Sequence, residues 1–210
     1  MLWQNRLKRL LVNNMKRAFD IFFSLSAIIL LLPFYMVIAM FILLDSKGGV
    51  FYKQQRVGKG NIDFGLFKFR TMRQDAHKQG LLTVGGRDPR ITNVGYFLRK
   101  YKLDELPQFI NILNGEMSFV GPRPEVRKYV DMYNKEQMHV LDIKPGLTDY
   151  ASIEYMDEND LLAQSDDPEQ TYIEEIMPAK LEHNMRYIQD QSFITDFKII
   201  LRTIAKIISR

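Results

Sequence analysis

With 210 residues, the chain is long enough for one ordinary domain with a real core. It has no cysteine, which excludes disulfides, thiolate zinc sites and a cysteine nucleophile, and its three histidines (His77, His139, His183) are too scattered to suggest a metal pair. A net charge of +4 leaves nucleic acid, anionic lipid and phosphorylated substrates open as partners, so the placement of the charge must decide.

Residues 1–17 are basic, with Arg6, Lys8, Arg9, Lys16 and Arg17 and no acidic residue. Trp3, Leu7, Leu10 and Leu11 form an apolar stripe, the pattern of an interfacial helix leading into a membrane element. From Ile21 to Leu44 no residue is charged. That run exceeds the roughly 20 apolar residues that cross a bilayer. It is too long for a cleaved signal peptide, and no small-residue cleavage site follows it. Pro33 stands in its middle, where it kinks or breaks a helix. The segment after it, with Lys47, Lys53, Arg56 and Lys59, is basic as well. Basic flanks favour the cytoplasmic side. Two forms fit the pattern: a hairpin that turns at Pro33 and leaves where it entered, and a kinked single-pass helix.

Residues 50–72 read as strands and turns, and Phe64–Arg70 partly alternates apolar with basic, which places Lys68 and Arg70 on one strand face. Residues 73–90 are polar, with Gly85-Gly86 and Asp88-Pro89 as turn signals, and are predicted as a loop without chemistry. A helix over Val94–Lys100 delivers Arg99 and Lys102 close to the next segment.

That segment, Leu103-Asp104-Glu105-Leu106-Pro107-Gln108, is the one around which the chain is organised. Asp104 is a good N-cap, Pro107 fits a first turn, and Leu106, Phe109, Ile110 and Leu113 repeat at helical spacing up to a stop at Gly115. A helix N-terminus favours phosphate and keeps a carboxylate ionised, and an ionised aspartate beside a phosphate can serve as metal ligand or nucleophile. An N-cap aspartate beside a solvated glutamate fits the fragment equally well. Further on, Pro122 and Pro124 flank Arg123 and fix the backbone around its fork, which suits bidentate phosphate recognition. A helix is predicted from about Pro124 to Gln137, then a Pro-Gly turn at Lys144-Pro145-Gly146-Leu147-Thr148.

Residues 154–178 are acidic without a repeated ligand spacing, as on a solvated helical surface. From Phe193 onward an apolar face (Phe193, Ile194, Phe197, Ile200, Leu201, Ile204, Ile207, Ile208) opposes Lys198, Arg202, Lys206 and Arg210. That helix suits membrane contact, and its apolar face would equally serve a homodimer. Basic residues are not interleaved with aromatics on one face, which argues against nucleic acid.

Taken in order, Lys16–Asp20, Gln54–Gly58, Lys68–Met72, Leu103–Gln108, Met117–Pro124 and Lys144–Thr148 resemble the bacterial sugar transferases, specifically the small monotopic phosphoglycosyl transferases, over nearly the whole chain. The resemblance implies a mostly helical α+β fold. It implies a membrane-embedded N-terminal unit (1–45) with a re-entrant helix broken at Pro33, a catalytic domain (46–150), and an acidic segment with a C-terminal amphipathic helix (151–210) in the same globular unit. It implies an enzyme on the cytoplasmic face of the bacterial inner membrane. That enzyme moves a sugar-1-phosphate from a UDP-sugar to polyprenyl phosphate, releases UMP, and begins glycan assembly. Asp104 would be the nucleophile, Asp104 and Glu105 the Mg²⁺ ligands, and Arg99, Arg123, Lys68 and Arg70 the phosphate contacts. Many members carry Ser before the breaking proline and Gly-Trp-Ala-Gln after the Pro-Gly turn; here the residues are Leu32 and Asp149-Tyr150-Ala151-Ser152-Ile153, which leaves the sugar open beyond an N-acetylated one as a guess. The competing reading is a non-enzymatic, membrane-anchored adaptor that binds anionic lipid or a partner enzyme.

Overall fold

A computed structural model describes residues 2–74, 76, 82–85 and 88–209, with backbone alone for 2–13. The stripe expected at Trp3, Leu7, Leu10 and Leu11, with Arg6, Lys8 and Arg9, therefore rests on side chains outside the described residues, as do His77, Gly86 and Arg210.

The chain begins with one long helix, α1 (Leu2–Asp45). Its section from Asn14 to Asp45 is long and apolar enough to cross a membrane, and of its apolar 18-residue stretch only 17% is buried inside the protein. At 1.5 Å per residue those residues extend about 48 Å, well beyond the roughly 30 Å of a bilayer core. Pro33, where the break is expected, lies inside α1. A proline removes its own N–H from the ladder and its ring crowds the carbonyl four residues back, yet the turns on either side share one contact face. Asp20, Ser24, Tyr35, Ile38 and Ile42 are buried, with Leu31 packed beside the last three. The opposite face, with Phe22, Ile29, Leu30, Met36 and Leu44, is exposed.

Both ends of the apolar run are fastened to the same body. Arg17 donates to the carbonyls of Ile112 (2.6 Å) and Leu113 (2.7 Å), and Asp20 accepts from Ser118 Oγ (3.1 Å) and Phe119 N (3.2 Å). Beyond Pro33, the Tyr35 hydroxyl donates to the Leu106 carbonyl (2.8 Å), and the Asp45 carboxylate accepts from Val94 N (2.9 Å).

Strands β1 (Phe51–Val57) and β2 (Asp63–Phe69) form an antiparallel hairpin with Phe51 opposite Phe69. Helix α2 (Asn93–Lys100) follows, capped by Thr92 Oγ1, which accepts from Gly95 N at 3.0 Å. Then come a 3₁₀ turn (Leu103–Glu105) and α3 (Gln108–Asn114). Gly115 closes α3 in the left-handed region (φ 85°), as its position predicts, because only glycine adopts that backbone without strain. Strands β3 (Ser118–Val120) and β4 (Gly146–Thr148) pair in parallel. Their backbones touch at two glycines: a Cβ on Gly146 would lie 2.1 Å from Gly121 N, so no larger residue fits there. The Pro-Gly turn and the Arg123 loop are thereby held back to back.

The helix predicted over 124–137 shrinks to one turn, α4 (Arg127–Val130), followed by a 3₁₀ stretch (Gln137–Asp142). Asn134 and Gln137 exchange side-chain-to-backbone hydrogen bonds, both 2.9 Å, which offers the backbone an alternative to continuing the helix. The acidic segment folds into α5 (Tyr150–Glu154), α6 (Glu158–Leu162), α7 (Pro168–Thr171) and a π-helical turn (Tyr172–Ile176) that runs into α8 (Met177–Asp190). It is more than a solvated surface, because its inner side supplies Leu162, Tyr172, Ile176, Met177 and Leu181 to a core shared with Val126, Tyr129 and Val140.

The last helix, α9 (Phe193–Ile208), buries Asp196 and Ile199 and exposes Phe193, Ile194, Phe197, Leu201, Ile204 and Ile208. Lys16 ties it to α1 by donating to Asp196 (2.7 Å), the Tyr187 hydroxyl (2.8 Å) and the Val120 carbonyl (2.8 Å).

Candidate active site

The two carboxylates of the central motif sit on the 3₁₀ turn, not at a helix N-cap. Pro107 takes the N-cap position of α3, and the residue before the turn, Lys102, is left-handed (φ 56°). A lysine held there costs about 1–2 kcal/mol of local strain. The reversal it makes at the end of α2 carries both Asp104 and Glu105 inward, with residue exposures of 5% and 9%.

Glu105 is fully engaged. Arg123 grips it in a fork, with Nη1 on Oε2 at 3.2 Å and Nη2 in close contact with Oε1, and Lys68 Nζ lies 3.7 Å from Oε1. Burial alone would raise its pKa, but Arg123 and Lys68 outweigh that and hold the carboxyl well below its usual range. Asp104 is the opposite case: no group among the described residues hydrogen-bonds its carboxylate. Burial, then the adjacent Glu105 charge, push its pKa up, against the pull of Lys68, Arg99 and Lys102. Lys68 is pushed down to about 8 by burial, with Glu105 acting against the shift.

Arg99, near the end of α2, reaches the same charge cluster. Its Nε donates to Thr71 Oγ1 (3.0 Å) and its Nη1 to Thr83 Oγ1 (3.2 Å). Burial lowers its pKa, and Asp104 is the strongest of the charges opposing that shift. Gly95 makes this approach possible, because a Cβ there would stand 2.1 Å from the Thr71 carbonyl oxygen. Thr83 lies in the loop that sequence reading left without chemistry.

Arg70 is elsewhere. Strand β2 ends at Phe69, and the Arg70 guanidinium turns to the carbonyls at the end of α1 and just past it, donating to Ile42 O (3.4 Å), to Ser46 O (2.8 Å) and to Lys47 O. Helix C-termini leave carbonyls without intrahelical partners, and a guanidinium satisfies several at once. The expected pairing of Lys68 and Arg70 on one face therefore separates. Lys68 joins the carboxylates, and Arg70 caps α1.

Supporting residues that sequence reasoning passed over complete the frame. Asn111, fully buried, accepts from Phe67 N (2.9 Å) and donates to the Gly65 carbonyl (2.8 Å), fixing β2 and its Lys68 against α3. Asp149, also fully buried, accepts from Arg123 N (3.2 Å) and Ser152 N (2.6 Å). Its position directly after the Pro-Gly motif is the one sequence signal that could have marked it.

Among the described residues no group of three or more His, Asp or Glu could hold a metal by itself. Both Glu105 oxygens are already on cations, so of the two expected ligands only Asp104 has capacity to spare. One carboxylate is enough for Mg²⁺, which usually binds through one or two carboxylates together with substrate phosphates. Chemically, the cluster sets an unpaired carboxylate among the charges of Lys68, Arg99 and the Glu105–Arg123 pair.

The description "Bacterial sugar transferase" belongs to the family profile that matches residues 11–210. A UDP-N-acetylgalactosamine-undecaprenyl-phosphate N-acetylgalactosaminephosphotransferase of Aeromonas hydrophila is 38% identical over 92% of this chain, a match spanning 44% of that protein. A UDP-glucose:undecaprenyl-phosphate glucose-1-phosphate transferase of Escherichia coli (strain K12) is 35% identical over 91% of the chain and 40% of its own length. The exopolysaccharide production protein PSS of Rhizobium leguminosarum bv. phaseoli is 36% identical over 93% of the chain and 96% of its own length. The chain thus spans less than half of the first two relatives and nearly all of the third.

The unequal environments of the two carboxylates predict opposite effects on stability. The Asp104 pKa is raised on folding, so its charge costs stability as pH rises from the ordinary aspartate range through the folded value. Asp104→Asn is expected to leave unfolding free energy at pH 7 unchanged or higher. Glu105→Gln leaves Arg123 without its counter-charge and should lower it by about 2–3 kcal/mol. Urea unfolding of both variants checks this, and a less stable Asp104→Asn would contradict the assignment.

Proposed function

The chain belongs to the bacterial sugar transferase family, and from that premise we propose that it transfers a sugar-1-phosphate from a UDP-sugar to a polyprenyl phosphate, releasing UMP. The observation that carries this reading is the unpaired, buried Asp104 carboxylate beside Lys68, Arg99 and the Glu105–Arg123 pair. An aspartate with no hydrogen-bond donor on it is free to act as a nucleophile, and the cations receive the charge of a diphosphate.

In the first step an Asp104 oxygen attacks the phosphorus that bears the sugar. The bond to the bridging oxygen breaks, UMP leaves with that oxygen and its electron pair, and an acyl phosphate joins Asp104 to the sugar. In the second step a phosphate oxygen of the polyprenyl acceptor attacks the same phosphorus. The Asp104 carboxylate leaves, regenerating the enzyme with the lipid diphosphate-sugar as product. Arg99, Arg123 and Lys68 hold the phosphates and balance their charge, while the Arg123 fork keeps Glu105 ionised and occupied. Mg²⁺, bound through Asp104 and the donor's diphosphate, would neutralise the leaving charge.

This reading sets the chemistry against a membrane. The fastening of α1 to one body at Arg17 and Asp20 on one side of Pro33, and at Tyr35 and Asp45 on the other, supports a membrane segment whose two ends lie on the same, cytoplasmic face of the bacterial inner membrane. The exposed apolar face of α9 suits the same surface. Protease added outside intact cells should spare tags at both termini; digestion of the amino-terminal tag alone would establish a single span instead.

The activity is tested by UMP release from purified protein with polyprenyl phosphate, Mg²⁺ and a panel of UDP-hexoses and UDP-N-acetylhexosamines. Release with at least one donor, lost on chelation and in Asp104→Asn, is expected. Full turnover in Asp104→Asn would remove it from the nucleophile role, and no release with any donor would favour the adaptor. Because Lys68 loses its charge as pH rises through about 8, the rate should fall there, and Lys68→Arg should flatten that fall.

A further inference from the structure

Two parts of the chain have no place in the chemistry above: the Gln54–Gly58 motif and the acidic segment. They meet behind Arg123. On the amino-terminal side of that residue, Gly146 N donates to the Pro122 carbonyl (2.9 Å) and Arg123 N donates to Asp149 Oδ2 (3.2 Å). On the carboxy-terminal side, Arg56 Nη1 donates to the Pro124 carbonyl (3.1 Å) and to Glu125 Oε1 (3.0 Å), while Val57 N donates to the Glu125 carbonyl (2.8 Å).

Glu125 is the hinge pin of this side. Its Oε1 also accepts from Val126 N (2.7 Å), and its Oε2 receives the Tyr172 hydroxyl in a close contact. No other group among the described residues holds Oε2. Tyr172 comes from 47 residues away, on the π-helical turn that joins α7 to α8. Such turns are rare and concentrate at functional sites. This one carries a 2%-exposed tyrosine whose ring lies in the shared core and whose hydroxyl meets Glu125. The Tyr129 ring (4.8 Å between centroids) and the Lys180 ammonium (5.2 Å above the ring) hold it there. Burial and the Glu125 charge push the phenol up, so the hydroxyl keeps its proton and donates it. Lys180 is itself held by Glu158 (2.7 Å), and the Glu158 charge is among those acting on Arg123.

We propose that Tyr172, acting through Glu125 and Arg56, positions Arg123 for the phosphates of the sugar donor, so that the acidic segment sets the geometry of the donor half-reaction. Tyr172 touches none of the reacting atoms and is a positioning residue. The inference rests on the transferase reading above.

The test is Tyr172→Phe, which keeps the ring in the core and removes only the hydroxyl, with Glu125→Gln as the second variant. Both are assayed as the full chain in lipid nanodiscs, with the donor that the unaltered protein uses. The kcat/KM for the donor is expected to fall on the order of ten- to a hundredfold, as misplacement of a binding group does. The kcat/KM for polyprenyl phosphate is expected to hold within twofold. A merely structural role would lower both values by the same factor, through loss of folded enzyme, and that result would overturn the proposal. So would an unchanged donor value in either variant. The unaltered chain run in parallel separates the two readings: no UMP release there refutes the transferase, whereas normal release there with unchanged variants refutes only the positioning role.

Discussion

Two carboxylates side by side in a buried turn repel one another, and the structure resolves that conflict by giving Arg123 to Glu105. One carboxylate becomes half of an ion pair, held ionised and occupied. The other, Asp104, is left buried without a hydrogen-bond donor and with a raised pKa. Breaking the pair would leave an uncompensated charge on a mostly buried group, which is where such losses are largest. The surrounding frame serves this division. The left-handed Lys102 turns the carboxylates inward, the two prolines and the Gly121–Gly146 contact fix the Arg123 backbone, and Asn111 fixes the strand that carries Lys68.

The long apolar helix belongs to the same frame. Arg17 caps the end of α3 and Tyr35 bonds the carbonyl that follows the carboxylate turn, so α1 touches the segment around Asp104 on both sides of its proline. Arg70, two residues beyond Lys68, holds the end of α1. The long apolar helix and the turn that carries Asp104 are therefore one mechanical unit. The proposed transfer from a water-soluble donor to a lipid-borne acceptor requires such a coupling.

Much of this was legible in the sequence, and the reasons differ by residue. The uncharged run from Ile21 to Leu44 is a signal of composition, and composition survives folding. Arg123 between two prolines fixes its own backbone, and Gly115 marks a left-handed C-cap that only glycine fills easily. Arg70 was misread because period-2 alternation holds only inside a strand; β2 ends one residue earlier, and the free carbonyls of α1 draw the guanidinium away. That the turns on both sides of Pro33 pack on the same body could not be read either, since a proline's local cost says nothing of the packing on each side. Tyr172, Asp149 and Thr83 act through partners distant in sequence or through backbone groups. No spacing rule marks such contacts, so the acidic segment read as a solvated surface while its inner face formed a core.

The account stands or falls on Asp104 as the residue that carries the sugar phosphate. Purified protein would be incubated with Mg²⁺ and the UDP-sugar it uses, without polyprenyl phosphate, then quenched and digested. The peptide containing Asp104 should gain the mass of one sugar phosphate in step with UMP release, lose it when polyprenyl phosphate is added, and gain nothing in Asp104→Asn. UMP formed with no adduct on that peptide, or an adduct that persists in Asp104→Asn, would place the nucleophile elsewhere and contradict the division of roles between the two carboxylates.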